Sequence, residues 1–343
     1  MRRFSILFAA AAALSLPGCD DLDPVEVHPD PSTLTVDAST DWAFVRLGET
    51  ATQVSVTDPA TSEAWDIAFN ATRVMLNGGS AGPAGVTGYC VCQNASASDA
   101  QVEAMTAAGE RPDFEAVTLA DVPSDDQAWQ SDALDPAISG WYVYDMTTHQ
   151  VSAAPDRVWQ VRGAGEAPEY AKLHVTQISD GTQGGARVTI EYAVQPAAGA
   201  PFGAVRTAVL DGRTEPVYFD FATGAATDGP DWDIMLDGYV FRINGGVSGD
   251  GGAGAVLADE SFAAMTDASD APAQVYRGDA FGGVFASTPW YRYNLDGNHT
   301  VFPTYDVFLI QSGASIYKIQ ITGYYSTTGD ARWITFRYAP LES

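Results

Sequence analysis

The chain has 343 residues, with 17 basic against 44 acidic side chains for a formal charge of −27, four histidines and three cysteines. That balance excludes nucleic-acid binding by phosphate neutralisation, which needs clustered Lys and Arg; Lys occurs only at Lys172 and Lys318. At 46% hydrophobic, the chain can bury substantial cores, most naturally in two domains.

Arg2 and Arg3 precede an apolar run from Phe4 to Ala13, followed by Leu14-Ser15-Leu16-Pro17-Gly18-Cys19. Residues 1–18 therefore read as an export signal, too short to anchor in a bilayer. Leu16, Gly18 and Cys19 resemble a bacterial lipobox, in which the cysteine thiol is acylated, although Pro17 stands where a small or polar residue is usual. Lipidation at Cys19 would hold the protein in the bacterial envelope, at the outer membrane or the periplasmic face. Asp20, directly after it, resembles a retention signal that some bacteria use at the inner membrane. Removing the signal leaves 15 basic and 44 acidic residues, a charge of −29. Residues 19–40, rich in Asp, Pro and Thr and containing His28, read as a flexible tether.

The chain then contains itself twice. Trp65-Asp66-Ile67-Ala68-Phe69 recurs as Trp232-Asp233-Ile234-Met235-Leu236, and Asn77-Gly78-Gly79 as Asn244-Gly245-Gly246. Trp141-Tyr142-Val143-Tyr144 answers to Trp290-Tyr291-Arg292-Tyr293, and Thr189-Ile190-Glu191-Tyr192 to Thr335-Phe336-Arg337-Tyr338. Lys172 and Lys318 occupy one repeat position. Ordered blocks over roughly 150 residues mark a tandem domain duplication rather than short repeats. The expected limits are 41–198 and 199–343, with a linker in the Ala/Gly/Pro stretch from Pro196 to Pro201.

The first copy carries an insertion near residues 86–110. It holds Cys90 and Cys92, expected as a loop disulfide or free thiols rather than a metal site, which needs more ligands. Ser98-Asp99-Ala100-Gln101 follows as a capping box, with Val102 and Met105 on one face of a short surface helix. Elsewhere the period is two. Leu173 and Val175 oppose Lys172, His174 and Thr176, and Tyr317, Ile319 and Ile321 oppose Lys318, Gln320 and Thr322, as in strands with one buried face. Gly-rich punctuation separates them, so the expected fold is all-β, two antiparallel domains with few short helices.

The conspicuous motifs argue against catalysis. Asn244 to Gly252 is glycine-rich but lacks the Gly-Lys-Ser/Thr of a phosphate loop, and reads as a turn needing positive φ. Asp66 and Asp233 sit beside tryptophans at strand starts, where bonding to backbone amides is the ordinary role. His149 and His299 each follow an aromatic Trp-Tyr-x-Tyr segment by a short turn. Such a repeated imidazole is placed to coordinate a metal held in a flat apolar ligand, the alternative being a surface turn histidine.

Taken in order, Trp-Asp-Ile-Ala-Phe, Asn-Gly-Gly, Trp-Tyr-x-Tyr with its downstream His, Tyr317-Lys318-Ile319-Gln320-Ile321 and Thr335-Phe336-Arg337-Tyr338 resemble the HmuY family of heme-binding bacterial lipoproteins. The resemblance implies an all-β, non-enzymatic, hemophore-like protein that binds heme or porphyrin and passes it to an outer-membrane heme receptor. It also implies two axial ligands of the His or Met type within one domain. His149 and His299 are the candidates, with Met146 or His174 as the second ligand of the first copy; Leu295 and Gln320 stand at those places in the second. The rival is a β-rich envelope module that has lost heme and serves as a partner-binding or structural element.

Overall fold

Apolar and polar residues alternate along two long hairpins, Tyr170–Thr182 with Gly185–Gln195 and Ser315–Tyr325 with Ala331–Pro340, one in each repeat. A computed structural model describes residues 32–341 except Gln183, so the signal, Cys19 and His28 lie outside the described residues. The described chain is dominated by antiparallel sheet, with three short α-helices, as expected for an all-β protein. No helix among the described residues is long and apolar enough to cross a membrane.

Each long hairpin is the centre of a five-stranded sheet whose two outermost strands come from the other half of the chain, one of them, Ser32–Asp37, from within the stretch expected as a tether. The hairpin of the second repeat pairs with Ser32–Asp37 at one side, and through Val307–Ser312 with Thr87–Cys90 at the other. The hairpin of the first repeat pairs with Arg206–Asp211, and through Val158–Arg162 with Gly254–Leu257. The cores follow the same exchange. One joins Val45, Ile67 and Phe69 to Phe308, Ile319 and Phe336; the other joins Trp141, Leu173 and Tyr192 to Phe219, Ile234 and Phe241. Every lobe is thus the first half of one repeat closed by the second half of the other.

The repeats expected at 41–198 and 199–343 follow one another in sequence, while their halves pack by exchange. The chain passes from Gly185–Gln195 into Arg206–Asp211 as neighbours in one sheet, with Arg187 opposite Asp211 and Tyr192 opposite Arg206, so Pro196 to Pro201 is a loop within a lobe. The chain changes lobes instead where Ala133–Asp135 pairs with Ala280–Gly282, one segment from each repeat. Arg277 bonds Asp135 at 2.9 Å, and the amide of Ala137 donates to Asp279 at 2.8 Å across the same crossing. Such mutual exchange of like elements is a domain swap within one chain.

The expectation of one buried face per strand also needs correction. Gln320, on the polar side of its strand, is fully buried, and Lys172 and Lys318 are nearly so. The segment around the helix Arg111–Ala116 covers that face of one lobe, and residues near Phe262 cover it in the other. Lys318 Nζ donates to the carbonyls of Phe114 and Val117 at 2.9 and 2.8 Å; Lys172 Nζ donates to those of Phe262 and Met265 at 2.8 and 2.7 Å. Each lysine thereby secures a cover supplied by the opposite repeat. The capping box forms as read: the Gln101 amide bonds Ser98 Oγ and the Ser98 amide bonds Gln101 Oε1, starting the helix Asp99–Ala104 with Val102 buried. Cys90 and Cys92 are joined as a disulfide with Cα atoms 5.0 Å apart.

The other repeated motifs are scaffold. Asp66 Oδ2 accepts from the Leu47 amide at 2.6 Å and Asp233 Oδ2 from that of Phe221 at 2.7 Å, while Asn77 and Asn244 donate to the carbonyls of Trp65 and Trp232 at 2.8 Å. Gly79 and Gly246 hold φ near +62° and +72°, where a Cβ would meet the carbonyls of Asp132 and Asp279 at 2.0 and 1.9 Å; only glycine permits both the conformation and the approach.

Burial pushes the carboxyl of Asp132 up to about 7, against the opposing bond from the Leu76 amide. The folded chain then keeps a proton, between about pH 4 and 7, that the unfolded chain has released. This contribution is complete below about pH 4 and is lost as pH rises through 7. Asp132→Asn is therefore expected to flatten the decline of the urea midpoint over that window, and parallel profiles for the two proteins would contradict the assignment.

Candidate functional site

The two histidine loops are built alike from different sequences. The strand Tyr142–Tyr144 pairs with Val151–Ala153, and between them Asp145 Oδ1 accepts the amides of Thr147 and Thr148 at 2.7 and 3.1 Å. Those amides hold the Asp145 carboxyl below the usual carboxylate range. In the other lobe Tyr291–Tyr293 pairs with Val301–Pro303, and the intervening turn is tied by Asp296 to the Asn298 amide and the Thr300 hydroxyl. His149 and His299 sit at φ 57° and 61°, a left-handed conformation that costs a non-glycine residue roughly 1–2 kcal/mol. Hydrogen bonds offset it: the His149 amide donates to the Asp145 carbonyl and the His299 amide to the side-chain Oδ1 of Asn294, both at 2.8 Å.

In each loop the imidazole meets the second tyrosine of its aromatic strand. Tyr144 Oη lies 2.6 Å from His149 Nδ1, and Tyr293 Oη lies 2.9 Å from His299 Nδ1. Both rings are thereby oriented while remaining exposed. The other expected ligands are not brought to these rings. Met146 is 78% exposed on the turn and does not line the cleft described below. His174 has Nδ1 2.8 Å from the Pro155 carbonyl and Nε2 3.2 Å from Glu191 Oε2, and its ring stacks on Phe262 at 4.3 Å. Both ring nitrogens are held against protein oxygens, so His174 belongs to the cover of the sheet, as does its counterpart Gln320, which donates to the Tyr305 carbonyl at 2.6 Å.

A cleft of about 950 Å³ opens at the first of these loops, within the range of small-molecule sites. Tyr142, Tyr144, His149, Val151 and Ile178 from the first repeat line it together with Tyr239 from the second. Beneath it Trp141 is buried, with ring centroids 4.8 Å from Tyr142 and 5.2 Å from Phe241. Tyr239 faces Tyr142 at 5.4 Å, and burial followed by that neighbour raises its phenol above the ordinary value. Tyr239 lies nearly one hundred residues from His149 and has Thr72 as its repeat counterpart, so comparing the copies could have marked it as a difference but not as a neighbour.

The matching place at His299 is filled by different side chains. Tyr324 stands where Ile178 stands, is buried, and packs on Trp290 and Tyr325. Tyr325 Oη accepts the Val301 amide at 3.1 Å and fastens the loop strand to the large sheet. The lobes also differ at the scaffold aspartates. Arg46 lies 3.4 Å from Asp66, whereas Asp233 is grouped with Asp220 and Glu169, and burial first, with those two charges adding, raises its carboxyl.

The HmuY protein family model matches residues 38–192 and 213–338, more than half of the chain and in two segments, as a duplication requires. The chain belongs to the HmuY family. No curated protein matches this HmuY member. Among solved structures, it is similar to a Bacteroides vulgatus protein described as an HmuY-like heme binding protein, at 14% identity, covering 37% of this chain and 86% of that one with a TM-score of 0.18. A Bacteroides fragilis protein described as a lipoprotein is similar at 15% identity, over 37% of this chain and 85% of the other, with the same TM-score.

The family name raises heme, and the cleft can be tested for it on its residues. Tyrosines, Val151 and Ile178 line it together with Gln150 and Gly181, and an oriented phenol–imidazole pair stands among them, which would offer a flat macrocycle apolar contact and a side-chain donor. No Arg or Lys is among the lining residues, so the propionates of a bound heme would be left to water.

Proposed function

We propose that this HmuY-family chain is an exported, lipid-anchored envelope protein that binds heme or a related porphyrin in the His149 cleft, for capture or delivery rather than catalysis. The carrying observation is the aromatic cleft opening beside an imidazole held in place by Tyr144. Family membership supports the same reading. Bound heme would supply an iron centre for a side-chain donor; Tyr142, Tyr239, Val151 and Ile178 would give it apolar contact and exclude water. Acylation at Cys19 would keep the protein near the membrane, with an outer-membrane heme receptor as the partner of delivery. The copy at His299, where the larger Tyr324 replaces Ile178, fits the other role expected from the sequence, a module kept for structure or for partner binding.

Titration of the protein with hemin is expected to give a saturable Soret shift at one equivalent per chain. His149→Ala should weaken binding about tenfold, an order set by the loss of one oriented polar contact to the ligand, and His299→Ala should leave it unchanged. A wild-type protein that produces no shift would overturn the proposal.

A further inference from the structure

A second cleft, of about 400 Å³, lies at the crossing of the two repeats, and its size admits a small molecule. Leu134 and Phe281 face each other there, in the pairing of Ala133–Asp135 with Ala280–Gly282. Counted from the repeated Asn-Gly-Gly motifs, Arg242 takes the place of Met75 and Ser248 that of Ala81, and all four line the cleft. The first repeat thus supplies an apolar wall and the second a polar one. Trp42 and Phe281, also in the lining, pack on the hydrophobic cluster that contains Met75 and Ala81. Arg242 is the unusual member. Its Nε is buried without a hydrogen-bond partner, and its Nη2 stands 3.8 Å from Asp237, beyond hydrogen-bond reach. A buried donor left unpaired is costly, and the apolar side chain at the same place in the other repeat carries no such cost.

We propose that this junction cleft is a second binding site, selective for a small aromatic monocarboxylate, with Arg242 holding the carboxylate and Trp42 and Phe281 the ring. A carboxylate accepting from the Arg242 guanidinium makes a charge-assisted bond and satisfies the buried Nε. An aromatic body gains contact with Trp42, Phe281 and Met75 on the apolar side. Asp250 is exposed in the lining and Asp237 stands beside the guanidinium, so a second negative charge on the ligand is opposed. The site is whole only when both repeats are packed together, because each contributes one wall. It shares no lining residue with the His149 cleft, and the inference does not rest on the heme reading.

Calorimetric titration of the intact chain with 2-naphthoate is expected to show one saturable site. The alcohol 2-naphthylmethanol, with the same ring and no charge, should bind about tenfold more weakly or worse, the order set by losing a charge-assisted bond. Arg242→Met and Phe281→Leu install residues that the first repeat already carries at these places, so both are expected to fold. Arg242→Met should weaken naphthoate about tenfold or more and leave the alcohol unchanged, while Phe281→Leu should weaken acid and alcohol alike. His149→Ala should leave naphthoate binding as it is. The comparison of acid with alcohol uses the wild-type chain alone and stands even where a variant fails to fold. Absence of naphthoate binding, equal affinity for acid and alcohol, or binding that survives Arg242→Met and is lost in His149→Ala would each overturn the proposal.

Discussion

A protease site introduced at Ala198 and cut to completion is expected to leave two fragments that elute as one particle and separate only in denaturant. The loop from Pro196 to Gly199 is exposed, so cleavage there breaks the backbone without opening a core. Each fragment then owns half of both cores. Phe69 of one faces Phe336 of the other at 5.3 Å, and Tyr192 faces Phe219 at 5.4 Å. Fully burying one such side chain is worth about 1.5–3 kcal/mol, and many residues on each side would have to be exposed together for the fragments to part. Two repeats packed as consecutive domains would instead separate once the loop was cut. Recovery of two independent peaks under native conditions would refute the exchanged arrangement.

Lys318→Met is expected to destabilise the protein by about 3 kcal/mol, read as a lower urea midpoint with an unchanged slope. Methionine preserves the apolar stem but removes the ammonium that joins the Phe114 and Val117 carbonyls, both bonds buried. Each carbonyl left without a partner costs about 1–3 kcal/mol. The ammonium also lies 4.7 Å from the centre of the Phe114 ring, a contact worth about 1 kcal/mol. Burial lowers the pKa of this lysine, so part of the gain is offset by the cost of holding its charge in the interior, and the net figure falls short of the sum. Lys172→Met should act in the same direction, because Lys172 Nζ donates to the Phe262 and Met265 carbonyls in the other lobe. A change below about 0.5 kcal/mol at Lys318, the size of an ordinary surface substitution, would show that the cover is held by its apolar contacts alone.

The candidate site was legible in part. His149 and His299 stood out because a rare residue recurred at one repeat position beside aromatic strands, and the structure gives both the same tyrosine partner. His174 looked available because its strand alternates, yet the residues that occupy it, Pro155, Glu191 and Phe262, are distant in the chain. Tyr239 carries no such signal in the sequence, since only the exchange of halves brings it to a cleft formed by the first repeat.

What the sequence determined by itself is the local and the repeated. The strand period, the Ser98 capping box, the glycines at positive φ and the duplication depend on residues a few positions apart or on self-comparison. Tertiary structure alone decided which half closes on which. After a duplication each half-domain has two partners of nearly the same shape and chemistry, so hydrophobic pattern cannot choose between them. The choice falls to the short crossing at Ala133–Asp135 and Ala280–Gly282, where the two repeats pair with each other instead of folding back. The cleft at His149 follows from the same level of organisation, because it is finished by Tyr239, which the exchange, not the neighbouring sequence, brings near.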